Sequence, residues 1–208
     1  MQNSTNYRPR KNADLLYELG TLRCIPRAWI QFHIPNSASV AEHIFRVQLI
    51  ALLIAKMEGI NDEAVLGKIT MMALSHDLAE SRTGDVAYVA REYTKREESM
   101  AAKDMFEDTP LGDLFLPLIE DSMKRESIEA KIVKDADNLD VDLELREMEL
   151  KGQKHLETFM VTRKYVRAER LYTESAKKLW DEIHSTNPSD WIMIVRNRMN
   201  NGDWKPTK

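Results

Sequence analysis

The apolar residues Val40, Ile44, Val47, Ala51 and Ile54 recur at steps of four and three, the interval that stacks side chains on one face of an α-helix. Ser39-Val40-Ala41-Glu42 stands ahead of them in the order of a capping box, so Ser39 and Glu42 are expected to satisfy free amides of the first turn, with Gly59 marking the end. The same spacing runs through Leu66, Ile69, Ala73 and His76 after a start near Asn61 or Asp62. It returns in Ile128, Ile132, Ala136, Leu139 and Leu143, between Ser127 and Leu150, and stops at Lys151-Gly152. Alternation with period two is nowhere long enough to argue for a sheet, and only seven Gly and seven Pro punctuate the 208 residues. A single all-α domain of about six to eight helices is therefore expected.

The remaining segments read less regularly. Residues 13–22 have a short helical pattern, and residues 24–39, with Pro26 and Pro35, form a long irregular connection of the kind that often carries function. A charged helix is expected over 92–107, a short piece between Pro110 and Pro117, and further helices over 163–184 and 191–199. Residues 1–12 read as a flexible lead-in, 13–200 as the domain and 201–208 as a tail.

Composition narrows the function. Thirty Lys and Arg against 34 Asp and Glu leave a net charge of -4, which supplies no general field for a nucleic-acid polymer. A single cysteine, Cys24, excludes an internal disulfide and a Cys-rich zinc site and fits a reducing compartment. The longest apolar stretch, 49–55, falls far short of the ~20 residues that span a bilayer, and the polar start carries no signal-peptide core. A cytoplasmic protein without a membrane partner is expected. No glycine-rich coenzyme motif is present.

Four metal-ligand side chains fall on inward helix faces: His43, His76, Asp77 and Asp137. Imidazole plus carboxylate, without thiolate, suits one divalent ion among Mn, Co, Fe, Ni, Zn and Mg. His76 and Asp77 are neighbours, about 100 degrees apart on a helix, so they flank one ion only if ligands arrive from other helices. His43 and Asp137 are placed to do this, with Asp135, Asp140 and Asp142 as competitors for the place of Asp137. Glu80, one turn beyond His76, is within reach of a metal-bound water as general base or acid, and Arg82 is a candidate ion-pair partner for it. Arg27 can grip two phosphate oxygens with its planar fork, and Trp29 offers a face for stacking or for excluding a hydroxyl. His33 reads as an exposed loop residue, and His155 and His184 as surface or packing residues.

The ordered set Ser39-Val40-Ala41-Glu42-His43, Ser75-His76-Asp77-Leu78-Ala79-Glu80, Thr83-Gly84-Asp85 and Lys134-Asp135-Ala136-Asp137 resembles the HD-domain metal-dependent phosphohydrolase superfamily. Within it the chain is most similar to the 5′-deoxynucleotidase group, over roughly 15–150. The resemblance implies a helical HD-domain fold and hydrolysis of deoxynucleoside 5′-monophosphates to deoxynucleoside and phosphate. It implies metal ligation by His43, His76, Asp77 and Asp137, water orientation or activation by Glu80, and contact of Asp85 with the substrate sugar at the catalytic centre. It further implies phosphate binding by Arg27, deoxyribose discrimination by Trp29, and a homodimer. The family pattern sets Arg directly before Trp, whereas here Ala28 intervenes, and the Pro usual shortly after Thr-Gly-Asp is replaced by Val86-Ala87-Tyr88.

Two other readings stand beside this one. A hydrolase on the same scaffold could act on deoxynucleoside triphosphates or on another nucleotide, but no cluster of basic residues for a triphosphate tail is evident in the sequence. A helical binding protein could keep the metal without turnover, a reading against which Glu80 and Asp85 speak.

Overall fold

The computed structural model describes residues 10–34 and 36–194. The chain runs α1 (Asn12–Leu19), two 3-10 turns (Gly20–Cys24 and Ala28–Phe32), α2 (Val40–Met57), α3 (Glu63–Ser75), α4 (Glu80–Thr83) and α5 (Tyr88–Arg91). It continues through α6 (Glu98–Phe106), α7 (Gly112–Lys124), α8 (Ile128–Leu150), α9 (His155–Glu169), α10 (Glu174–Ser185) and α11 (Trp191–Ile194). Eight of these helices have eight residues or more, and among the described residues the only β pairing is a bridge between Pro26 and Ser39. No helix among the described residues is long and apolar enough to cross a membrane.

Helix starts follow side-chain chemistry. Ser39 accepts from the Glu42 amide while Glu42 accepts from the Ser39 amide, so both halves of the capping box form. Asp62 caps α3, Ser127 caps α8 and Thr173 caps α10 through the same oxygen-to-amide bond. Gly59, at φ 80°, takes the left-handed conformation just past α2.

Helix α8 is the central element, packed against α2, α3, α7, α9 and α10. The apolar stripes meet there: Val40, Val47 and Ile54 from α2, Ile69 and Met72 from α3, Met105 and Phe106 from α6, and Ile132 and Leu139 from α8 are fully buried. A smaller cluster of Trp29, Ile34, Leu145, Met148 and Leu156 ties the second 3-10 turn to α8 and α9. The irregular connection is stapled at its base, the Arg27 amide donating to Ala38 O at 2.9 Å and the Val40 amide to Ile25 O at 2.9 Å. Arg27 and Trp29 are thereby held beside the first turn of α2.

Four expectations need correction. The 163–184 helix is two helices, α9 and α10, separated by 170–173. The cause is Asp135: this buried carboxylate accepts from the Tyr172 and Thr173 amides at 2.8 Å and from the Thr173 hydroxyl at 2.7 Å, which holds the break open. The charged 92–107 stretch is helical only from Glu98 to Phe106, since its weak apolar stripe buries just Ala102, Met105 and Phe106. Pro117 lies inside α7 instead of bounding it, its ring falling on a helix that Phe115, Leu118 and Ile119 bury against the core. The first helix ends at Leu19 and tightens into a 3-10 turn. The lead-in 1–9, the tail 201–208 and the 195–199 part of the last expected helix lie outside the described residues.

Gly112 opens α7 where the chain doubles back on α6. A Cβ there meets Phe106 O at 2.6 Å, and that oxygen belongs to backbone and cannot swing away. Gly112→Ala is expected to cost about 1–3 kcal/mol, and the check is a fall in thermal midpoint of roughly 2–10 °C.

Candidate active site

Three helices converge on one point. His43 sits in the first turn of α2, His76 and Asp77 where α3 ends, and Asp137 in the third turn of α8. One ligand atom from each lies within 4.8 Å of all the others. His43 Nε2 is 3.4 Å from Asp77 Oδ2 and 3.3 Å from Asp137 Oδ1, and His76 Nε2 is 3.2 Å from Asp77 Oδ2. Ligands at about 2.1 Å from a common ion sit ~3.0–3.4 Å from their nearest neighbours, so the spacing is that of a coordination sphere.

The outward-facing nitrogens explain the orientation. His43 Nδ1 lies 2.6 Å from Asp140 Oδ2, and His76 Nδ1 lies 2.7 Å from the Ala73 carbonyl. Each contact requires Nδ1 to carry the proton, which leaves the Nε2 lone pair turned to the cluster. Both Nε2 atoms are buried and, despite the carboxylates nearby, have no hydrogen-bond partner. Two orphaned imidazole nitrogens beside two carboxylates are a donor set that fits a divalent cation.

Opposite charges within the cluster support one another against the cost of burial. Burial opposes protonation of His43, but Asp137, Asp140 and Asp77 outweigh it and hold the imidazole pKa well above its usual value. Burial also opposes charge on His76, and again Asp77 and Asp137 prevail and raise it. Conversely, Asp77 and Asp137 are held far below the ordinary carboxylate range: burial works against this, while His76 and His43 act on Asp77, and Lys134 and His43 on Asp137.

Asp140 is therefore the hydrogen-bonded support of His43, held in turn by Arg46, and the other competitors for Asp137 have different duties. Asp135 shapes the break before α10, and Asp142 accepts two bonds from Arg163, with His184 Nε2 3.0 Å away. Asp140→Asn is expected to weaken metal affinity about 10–100-fold, checked by chelator competition.

Beside the cluster opens a cavity of about 250 Å³, whose walls include Arg27, Trp29, His76, Asp77, Glu80, Asp85 and Asp137. His43 lies behind it, fully buried, so all eight residues singled out in the sequence fall in one neighbourhood. Between Asp77 and Glu80 the helix tightens, the Glu80 amide donating to Asp77 O at 3.0 Å. Glu80 is 3% exposed, with Oε1 3.2 Å from Arg96 Nη1 and Oε2 buried without a partner. Burial and the like charges of Asp77 and Asp85 push its carboxyl up to about 9, against the pull of Arg27 and Arg96. The expected Arg82 is not its partner: Arg82 turns outward to Glu18 at 2.5 Å, because residues two apart on α4 emerge about 200° from one another.

Asp85 Oδ2 accepts from Arg27 Nη1 at 2.8 Å and from the Ala28 amide at 3.0 Å. Trp29 donates its indole N–H to Glu144 at 2.7 Å. Glu144 went unnoticed in the sequence, although its distance of seven residues from Asp137 on an acidic helix places it on the same face. The folded chain also gathers cations that the sequence scatters: Arg91, Arg96, Arg125, Lys134 and Arg163 line the cavity with Arg27. Most are already engaged by acids, Arg96 by Glu80 and Glu98, Lys134 by Asp137, Arg163 by Asp142. His33 is exposed with φ 60°, His155 packs on Phe32, and His184 stacks on Trp180 at 3.9 Å.

The HD domain family matches residues 19–180. The chain belongs to the HD domain family. That span includes every residue of the four-residue cluster. Among curated HD-domain relatives, the 5′-deoxynucleotidase HDDC2 of Danio rerio is 31% identical over 152 residues, covering 69% of this chain and 74% of that protein. The 5′-deoxynucleotidase yfbR of Photorhabdus temperata is 33% identical over 133 residues, covering 58% of this chain and 66% of its own length. The matches thus span about two thirds to three quarters of these relatives. Among solved structures, a conserved hypothetical protein of Pyrococcus furiosus superposes with a TM-score of 0.71 at 29% identity, over 84% of this chain and all of that one. The all-α architecture read from the periodicity is the HD-domain fold.

Proposed function

We propose that this chain is a 5′-deoxynucleotidase, hydrolysing deoxynucleoside 5′-monophosphates to deoxynucleoside and inorganic phosphate with one divalent ion held by His43, His76, Asp77 and Asp137. The observation that carries the reading is the pair of orphaned imidazole nitrogens in one four-residue cluster, beside a cavity that Glu80, with its orphaned Oε2, lines together with Arg27 and Trp29. The relatives named 5′-deoxynucleotidase support the substrate class.

A divalent ion there supplies a lowered pKa for bound water and neutralises charge on phosphoryl oxygens. The protein's own groups do the rest. Water oxygen bonds to phosphorus as the bond to the sugar 5′-oxygen breaks, and that oxygen must leave with a proton. Glu80, with Oε2 buried and without a partner, is placed to move that proton, and in the metal-free fold burial and the like charges of Asp77 and Asp85 raise its carboxyl to about 9. Arg27 stays charged in its buried position and offers its fork to the phosphoryl oxygens. The Trp29 ring fills the space beside the sugar and excludes a 2′-hydroxyl. Asp85, with Oδ2 committed to the Arg27 loop, offers Oδ1, which stands 3.7 Å from Arg91 Nη2, to a sugar hydroxyl.

The protein acts in the cytoplasm as a homodimer, a state supported by the exposed apolar side chains Phe45, Leu49, Leu53 and Met57, which recur every four residues on α2. The cavity's cations are mostly paired, which favours a monophosphate over a triphosphate.

The decisive experiment strips and quantifies bound metal, then assays phosphate release from deoxy- and ribonucleoside monophosphates with Mn, Co, Mg and Zn. Metal-dependent release confined to deoxy substrates is expected. Triphosphate release from deoxynucleoside triphosphates would shift the reading to a triphosphohydrolase, and metal binding without turnover on either panel would make the chain a binding protein.

A further inference from the structure

We propose that Glu144 is a positioning residue for substrate selection: from behind the cavity it sets Trp29, and with it Arg27, at the depth that admits a deoxyribose 5′-phosphate. This rests on the deoxynucleotidase reading for the identity of the substrate. The geometry of the residue itself does not depend on that reading.

One oxygen of Glu144, Oε2, accepts the Trp29 indole N–H at 2.7 Å and stands 3.7 Å from Arg27 Nε. Its side chain is 4% exposed, and Arg27 Nε is buried without a hydrogen-bond partner of its own. Burying a carboxylate is costly, and packing between α8 and the 3-10 turn could be met by an apolar residue of similar volume. An acid at this place is explained by what it holds. The turn Ala28–Phe32 is too short to fix its own side chains, and two carboxylates clamp it from opposite sides: Asp85 through Arg27 Nη1 and the Ala28 amide, Glu144 through the indole. Trp29 then packs edge-on against Phe159, with ring centroids 5.7 Å apart, which fixes the remaining rotation of the ring.

The clamp is in register with the metal cluster. Asp137, Asp140 and Glu144 follow one another at steps of three and four along α8, so a single rigid helix presents a metal ligand, the support of His43 and the anchor of Trp29 on one face. Asp137 and Glu144 are separated by about 10 Å of helix rise, a separation that the rigid helix holds constant.

The test compares Glu144→Ala, Glu144→Gln, Trp29→Phe and the double variant Trp29→Phe/Glu144→Ala, all metal-loaded. Glu144→Ala is expected to raise KM for deoxynucleoside monophosphates about tenfold, the effect of losing one charged hydrogen bond, with kcat within about threefold. It is also expected to narrow the preference for deoxy over ribo substrates. Glu144→Gln, whose amide oxygen still accepts from the indole, should recover most of the loss. The double variant should fall clearly short of additivity, since both changes cut the same indole bond and only the charge beside Arg27 is lost in addition. Independently of turnover, the Trp29 indole 15N–1H resonance, assigned by its loss in Trp29→Phe, should move in Glu144→Ala and respond to added deoxynucleoside monophosphate in the unaltered protein. Additive effects in the double variant, an unmoved indole resonance, or a loss that follows unfolding with KM unchanged would overturn the positioning role. Nucleotide binding at the indole without phosphate release would instead sink the hydrolase reading and leave the clamp standing.

Discussion

His76→Ala is expected to lower metal-dependent phosphate release by roughly 10³-fold or more, because a bound ion contributes several kcal/mol of charge stabilisation to the transition state. The residue suits the test because it caps the end of α3 without filling the core, so its loss leaves the packing of α2, α3 and α8 in place. Metal titration followed by thermal melting separates the causes. The unaltered protein should gain stability on loading, by about 2.7 kcal/mol at a hundredfold excess over Kd, and the variant should gain little. A variant that retained full activity and full metal content would remove His76 from the ligand set.

The gain on loading should also depend on pH. In the metal-free protein the carboxylates around His43 and His76 raise both imidazoles above their ordinary value, so each holds a second proton more tightly than a free histidine. Their contribution to stability is complete below their ordinary value of 6.5 and is lost as pH rises through the raised values. An entering cation must displace those protons, so affinity rises in the same direction. Melting with and without metal at pH 6 and pH 8 should show the larger shift at the higher pH.

Glu80→Gln is expected to reduce kcat by about 10²–10⁴, the usual reach of a positioned proton donor or acceptor, with little change in KM. The substitution keeps the shape of the side chain and its contact with Arg96, which Glu98 also holds at 2.7 Å. Thermal stability should therefore survive. In the metal-free protein it should survive better at high pH: the Glu80 carboxyl, at about 9 in the fold against 4.5 ordinarily, binds a proton that the unfolded chain releases, so its contribution fades as pH climbs toward 9. The Gln variant lacks that part of the slope. Comparing kcat, KM and melting of the two proteins across pH 6 to 9 checks all three statements, and undiminished turnover would dismiss Glu80 from the chemistry.

Much of the molecule was legible beforehand, for a physical reason that differs from element to element. The helices α2, α3 and α8 announce themselves because one-sided burial demands a 3.6-residue period and their caps demand short oxygen-bearing side chains, so Ser39, Asp62 and Ser127 mark their starts. Coordination chemistry restricts ligand types and so pointed to His43, His76 and Asp77, while the resemblance to the HD-domain motif singled out Asp137 from its neighbours Asp135, Asp140 and Asp142. The break at 170–173 was not, since residues 163–184 have no strong helix breaker; it exists because Asp135, more than thirty residues earlier, captures the backbone amides there.

The sequence by itself determined which residues turn inward, that they build a helical domain, and that nitrogen and oxygen donors without sulfur would serve any ion it holds. Only the tertiary structure decided how four nearby acids of α8 divide their work, Asp137 toward the cluster, Asp140 to His43, Asp142 to Arg163 and Glu144 to Trp29. It likewise assigned Glu80 to Arg96 and Arg82 to Glu18. Residue type and spacing set the face on which a side chain emerges. Its partner depends on which other helices pass within three ångströms of that face, and that is a property of packing between segments far apart in the chain.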